Sequence, residues 1–134
     1  MRAGCIAISG ILALLLAAVI ASAKDMNLNR TAKSGTDSPL AYSGRWDRNC
    51  KTAPNTITVT KQPMNGTVSV VDAEETIPAS TPASGSTGQC AGAKIMSKKI
   101  MYRSNPNFRG NDAVSYDSQG GGVVIHTTIA ISVQ

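Results

Sequence analysis

Aromatic residues are scarce in this 134-residue chain: one Trp, three Tyr and one Phe, 4% of the sequence. Single-stranded nucleic acid is gripped by rings set among positive charges, and five rings are few once a core has taken its share. No dense basic run exists either, Lys94, Lys98 and Lys99 being the nearest approach. Nucleic acid is therefore not an expected partner. Histidine is scarcer still. His126 stands alone, so a two-histidine metal site cannot be built. A Ser–His–Asp triad needs only one histidine, yet no G-x-S-x-G elbow occurs. Met64, Met96 and Met101 are soft ligands for Cu(I), but no Met-x-x-Met cluster gathers them. Asp72, Glu74 and Glu75 form the one acidic cluster. Glycoside chemistry or Ca²⁺ binding could use such a group; adjacent carboxylates in a loop more often stay solvated. No helical period of useful length appears anywhere, and no internal repeat.

What is present begins with a leader. Arg2 supplies a positive flank, Ile6 to Ile20 is apolar apart from Ser9 and Gly10, and Ala21-Ser22-Ala23 fits an A-x-A cleavage signal. The uninterrupted core, Ile11 to Ala21, has eleven residues, short of the roughly twenty needed to span a bilayer. Residues 1–23 thus read as a signal peptide cleaved near Ala23/Lys24, leaving no stable membrane span and a secreted or periplasmic chain.

Export changes the cysteine arithmetic. Cys5 leaves with the leader, and Cys50 and Cys90 remain as a single possible pair in an oxidising compartment. Their bridge would close a loop of about 41 residues, worth about 4 kcal/mol in the chain-entropy model. A reactive thiol or a thiolate metal ligand is the alternative. The formal charge of +5 includes Arg2; the balance left favours solubility and anionic partners. About 110 residues suffice for one domain burying about two-thirds of its extended surface.

Residues 24–37 are polar and without period, which predicts a flexible linker; the ordered domain is expected over 38–134. Leu40, Tyr42 and Trp46 share one face of an extended segment, with Gly44 marking a bulge or a close approach. Thr56 to Thr60 alternates, with Ile57 and Val59 inward. Gln62-Pro63-Met64-Asn65-Gly66 supplies turn chemistry, and Val68 and Val70 follow in phase, which predicts a hairpin. A long connection, 72–92, is functional or mobile on this reading. A strand near 98–103 places Ile100 and Tyr102 inward. Val114 and Tyr116 alternate next, a triple glycine follows, and Val123, Ile125, Thr127, Ile129, Ile131 and Val133 line one face of a final strand. His126 falls on its polar face. Six or seven such strands indicate an antiparallel sandwich with one disulfide.

Two blocks carry a resemblance. Val59 to Val68 resembles the V-x-x-Q-P-x-N-G-T-V hairpin of bacterial immunoglobulin-like and cadherin-like repeat domains. Tyr102 to Asp112, continuing through Val114 and Tyr116, is similar to their Y-x-P-x-x-x-F-x-G-x-D-x-F-x-Y segment. The likeness covers about residues 55–134 and implies an immunoglobulin-like sandwich. Its structural positions here are Pro63, Asn65, Gly66, Tyr102, Pro106, Phe108, Gly110, Asp112 and Tyr116, with Phe108 plugging the sandwich end and Asp112 bonding neighbouring turn amides. Tyr116 has the spacing of a tyrosine corner, but Ser118 stands where an immunoglobulin cysteine would lie. Relatives that bind calcium carry a D-x-D-rich connection before the hairpin; Arg45 to Asn55 has only Asp47. The resemblance implies spacers, adhesive modules or carbohydrate-contacting units, usually in tandem; a single copy is present here.

The expected function is non-catalytic: an immunoglobulin-like module that binds an envelope protein or a polysaccharide, with no cofactor. The sheet edge and the 72–92 loop are the expected binding surface, with Lys94, Lys98, Lys99, Arg103 and Arg109 around it. The alternatives are a small copper- or calcium-binding protein and an unrecognised small hydrolase. The sequence does not fix the oligomeric state.

Overall fold

The computed structural model describes residues 22–79 and 87–134. Residues 1–21 of the expected 1–23 leader, and residues 80–86 at the centre of the 72–92 connection, lie outside the described residues. In chain order the strands are β1 (Ser22–Ala32), β2 (Ser38–Ser43), β3 (Thr56–Lys61), β4 (Gly66–Thr76), β5 (Lys94–Ser104), β6 (Gly110–Gly120) and β7 (Val123–Val133). They form two sheets, ordered β1-β7-β6-β3 and β2-β5-β4. The fold is an all-β sandwich stapled by a Cys50–Cys90 disulfide. All strand pairs are antiparallel except β1 with β7, which is parallel. No helix among the described residues is long and apolar enough to cross a membrane.

Period-2 alternation builds the main core. Thr127, Ile129, Ile131 and Val133 point inward from β7, and Val114, Tyr116 and Ser118 from β6. Leu40, Ala41, Ile100 and Tyr102 meet them from the opposite sheet. Each large side chain fully buried here contributes about 1.5–3 kcal/mol. Gly121 (φ 57°) and Gly122 (φ 76°) make the two-residue turn between β6 and β7, where both central residues need positive φ.

A second core sits on the far end of the β4–β5 ribbon. Its eleven cross-strand pairs run from Gly66↔Ser104 to Thr76↔Lys94 without a register shift. Strict alternation therefore puts Ile95 and Ile100 on opposite faces of β5. Ile100 faces the other sheet, whereas Ile95 packs with Ile77, Cys90 and the half-buried Trp46 and Cys50. The segment 44–53 doubles back to cover this face, bridged at Trp46↔Thr52. Asp47 Oδ1 accepts the amides of Asn49 (2.8 Å) and Lys51 (3.0 Å), so the single acid of this connection serves its turn. Gly44 is a close approach: a Cβ there would lie 2.7 Å from Ile95 Cδ1.

Four expectations need correction. The residues 24–37 expected as a flexible linker form most of β1 and a turn. β1 pairs with β7 along its whole length, from Ser22↔Val123 to Ala32↔Val133. Backbone bonding fixes it while only Leu28 and Ala32 reach the core, which is why its apolar signal is weak. The sandwich therefore includes residues 22–37 and not only 38–134. Next, β3 and β4 are not a hairpin. The Gln62–Gly66 turn carries the chain from one sheet to the other, since β3 pairs with β6 and β4 with β5. The 72–92 connection is also shorter, because β4 runs on to Thr76 and β5 starts at Lys94. Finally, a register shift between Pro39 and Ala41 buries both Leu40 and Ala41 and turns Tyr42 outward.

Candidate functional site

The motif residues converge at one end of the sandwich. Asp112, buried on β6, accepts four hydrogen bonds. Oδ1 takes the amides of Met64 (2.8 Å) and Ala113 (2.9 Å); Oδ2 takes the Asn65 amide (2.9 Å) and the Tyr102 hydroxyl (2.9 Å). Burial alone would raise the Asp112 pKa, but these donors together hold it below the usual carboxylate range. Burial first, and then the Asp112 carboxylate, push the Tyr102 hydroxyl upward. Pro63 is buried in the same turn, and a Cβ on Gly66 would come within 2.5 Å of the Arg103 carbonyl. Asn105 donates its amide to the Asn65 carbonyl (2.8 Å). The corner that follows places exposed Pro106 ahead of Asn107 (φ 64°) and Gly110 (φ 133°), with half-buried Phe108 between them. Tyr116 is buried in the main core. These residues fasten a sheet-crossing turn; they do not form a binding pocket.

The opposite end has a network of hydroxyls, an amide and the Arg45 guanidinium. Ser43 and Ser118 hydroxyls meet across the sheets at 2.8 Å, and Asn55 Nδ2 donates to the Ser43 carbonyl at 2.8 Å. Ser118 donates to Asn55 Oδ1 (2.9 Å), which also accepts Arg45 Nε (3.2 Å). His126 lies exposed on the outer face of β7, 2.5 Å from Asp117. No group of three His, Cys, Asp or Glu that could hold a metal occurs among the described residues.

The five basic residues do not form one patch. Lys94 and Lys98 share one face of β5, Lys99 and Arg103 take the other, and Arg109 lies beyond the strand. Lys94 pairs with Glu74 (2.7 Å), Lys98 with Asp72 (2.5 Å) and Arg103 with Asp37 (2.9 Å). The Glu74 hydrogen bond and charge raise the Lys94 pKa. Lys99 sits 5.3 Å above the Tyr42 ring, a cation–π distance. Val71 flanks Lys99 on its other side, in register. Tyr42 and Val71 are both nearly half exposed. Asp72 and Glu74 are the lysines' partners, in pairs that stay exposed.

The sheet edges differ in protection. β2 has six residues, Pro39 and a bulge; β3 has six residues, a bulge and Lys61. β1 carries Lys24 and Arg30, and Arg30 Nε donates to the Leu40 carbonyl (2.7 Å), tying β1 to β2 across the sheets. β4 is eleven residues long with an unbroken register and no Pro, Lys or Arg. Beside it, between the sheets, lies an open depression of about 250 Å³ lined by Asn55, Thr56, Ile57, Val70 and Lys98. A second shallow depression, about 280 Å³, lies over β1, β6 and β7 near Asn29, Asn111 and Ala130.

Comparison with protein-family models, curated proteins and solved structures returns no match. The β4 edge was partly visible in the sequence as an alternating valine stretch lacking Pro, Lys and Arg. Its neighbour across the groove was not, because β3 and β4 read as a hairpin.

Proposed function

We propose that this chain is a single immunoglobulin-like binding module that works outside the cytosol and contacts an envelope protein or polysaccharide. The strand order carries the reading. The sheets β2-β5-β4 and β7-β6-β3 follow the B-E-D and G-F-C orders of immunoglobulin domains, with β1 added beside β7. Ser43 and Ser118 touch where such domains place their cross-sheet cysteines, two residues after the corner tyrosine position, Tyr116. A disulfide is expected of an exported small domain, in keeping with the leader-like residues 1–23.

The chemistry of the surface supports recognition. Two surface features support it: the row Tyr42–Lys99–Val71 across the outer face of one sheet, and the edge of β4, whose first half carries no charge. Tyrosine is among the residues enriched at interfaces relative to the rest of a protein surface.

The test uses purified chain, oxidised at Cys50 and Cys90, and isolated cell envelopes. Saturable co-sedimentation is the expected result, and its loss after protease treatment of the envelopes identifies a protein partner; retention identifies a polysaccharide. No saturable binding to either preparation overturns the reading. Fractionation and N-terminal sequencing of the native protein test export, with a first residue near Lys24 expected.

A further inference from the structure

The two lateral sides of the sandwich are built differently. On one, Arg30 reaches from β1 to the Leu40 carbonyl of β2 and closes the gap. On the other, β3 and β4 face each other across an open depression, and Ile57, Val59, Val68 and Val70 remain only half buried. Edge strands in soluble proteins are blunted by shortness, Pro, Lys or bulges. β1, β2 and β3 each carry at least one such device; the first half of β4, residues 66–71, carries none, and its only charges lie beyond, at Asp72, Glu74 and Glu75.

We propose that the groove between β3 and β4 is a docking site for an extended peptide segment of a partner protein, which adds to β4 as a further strand. An added strand would satisfy the β4 backbone groups that face away from β5. Its alternate side chains would settle beside Val68 and Val70 and complete their burial against Ile57 and Val59. Charge selects the occupant. The only charged residues of β4 are Asp72, Glu74 and Glu75, all acidic and all in its second half. Two of them have lysine partners on β5 in exposed pairs, and Glu75 is met by no Lys or Arg among the described residues. The segment is therefore apolar at alternate positions and basic at the end that lies along Asp72–Glu75. A second copy of β4 would bring three more carboxylates to the same ribbon, so self-pairing is disfavoured. The inference rests on the binding-module reading and names its partner class.

The probes are two fluorescein-labelled peptides, Thr-Val-Thr-Val-Thr-Lys-Lys and its Glu-Glu-ended counterpart, against the oxidised chain. The Lys-ended peptide should bind about ten-fold tighter, and E74K/E75K should reverse that order. Ser69→Lys, which places a charge on the exposed edge, should weaken binding about ten-fold while leaving the thermal midpoint unchanged. Amide exchange measured by NMR should slow in residues 67–71 and not in β1. Equal affinities, or protection confined to β1, β2 or β3, overturn the proposal. So does a chain dimer, seen by sedimentation velocity, that Ser69→Lys dissolves. Envelope binding that survives Ser69→Lys but is lost in Y42A/K99E also overturns the groove, yet leaves the binding module standing. Absence of envelope binding by the unaltered chain removes both.

Discussion

At Ile100 the β4–β5 ribbon is buried against the other sheet; five residues earlier, at Ile95, it buries its opposite face beneath a loop and a disulfide. The first core draws its buried residues from five strands and includes Ile100, Val114 and Ile129 with no exposed surface. The second has three buried residues, Ile77, Cys90 and Ile95. A cluster that small removes too little apolar surface from water to order the segment 44–53 by itself, because each ordered residue costs about 1–2 kcal/mol of backbone entropy. The covalent bond stands where noncovalent burial is thinnest.

Removing that bond is the severest test. C50S/C90S should lower the unfolding free energy by up to about 4 kcal/mol, read from urea midpoints. Amides of residues 94–97 should lose exchange protection before those of 100–103; simultaneous loss would show that the two cores form one cooperative unit. Truncation within each core comes next. Ile129→Ala should cost about 3 kcal/mol. Ile95→Ala should cost less than half as much, since a loop-covered site can collapse around the gap, and equal costs would break the distinction.

Asp112 sharpens the contrast at the sandwich end. Asp112→Asn should cost about 2 kcal/mol, because an amide cannot accept from all four donors. The folded carboxylate titrates below its unfolded value. Its contribution is therefore complete above the ordinary carboxyl range, near pH 3.9, and is lost as pH falls through the lower folded value. Acid unfolding followed by circular dichroism should show a shallower low-pH limb in Asp112→Asn than in the parent. The smallest effect belongs to the exposed Lys94–Glu74 pair: K94M/E74Q should leave the urea midpoint unchanged, as expected of a solvated ion pair.

Much of the sandwich was legible because period 2 is hard to disguise. Val123 to Val133 alternates without fault, and Ile100 with Tyr102 announces β5. The disulfide was expected from cysteine number once Cys5 was read as part of the leader. Asp112 was expected to bond amides of its own corner; two of its partners are instead the amides of Met64 and Asn65 in a distant turn. The failures share a cause. Asn65-Gly66 is hairpin chemistry when read locally, but neither residue takes a positive φ; Asp112, forty-seven residues away from Asn65, holds the turn as a bridge between sheets. β1 escaped notice because a parallel partner at the far end of the chain supplies its backbone bonds. The basic residues looked like one surface in sequence, yet Lys98 and Lys99 must point to opposite sides of a strand, and three of the five find carboxylates.

The hydroxyl contact between Ser43 and Ser118 bears on how the Cys50–Cys90 disulfide forms. With thiols at those positions as well as at Cys50 and Cys90, four sulfurs would allow three intramolecular connectivities, two of them wrong. Hydroxyls there cannot enter thiol–disulfide exchange. With Cys50 and Cys90 as the only cysteines among the described residues, the domain has a single oxidised isomer to find and needs no reshuffling to reach it.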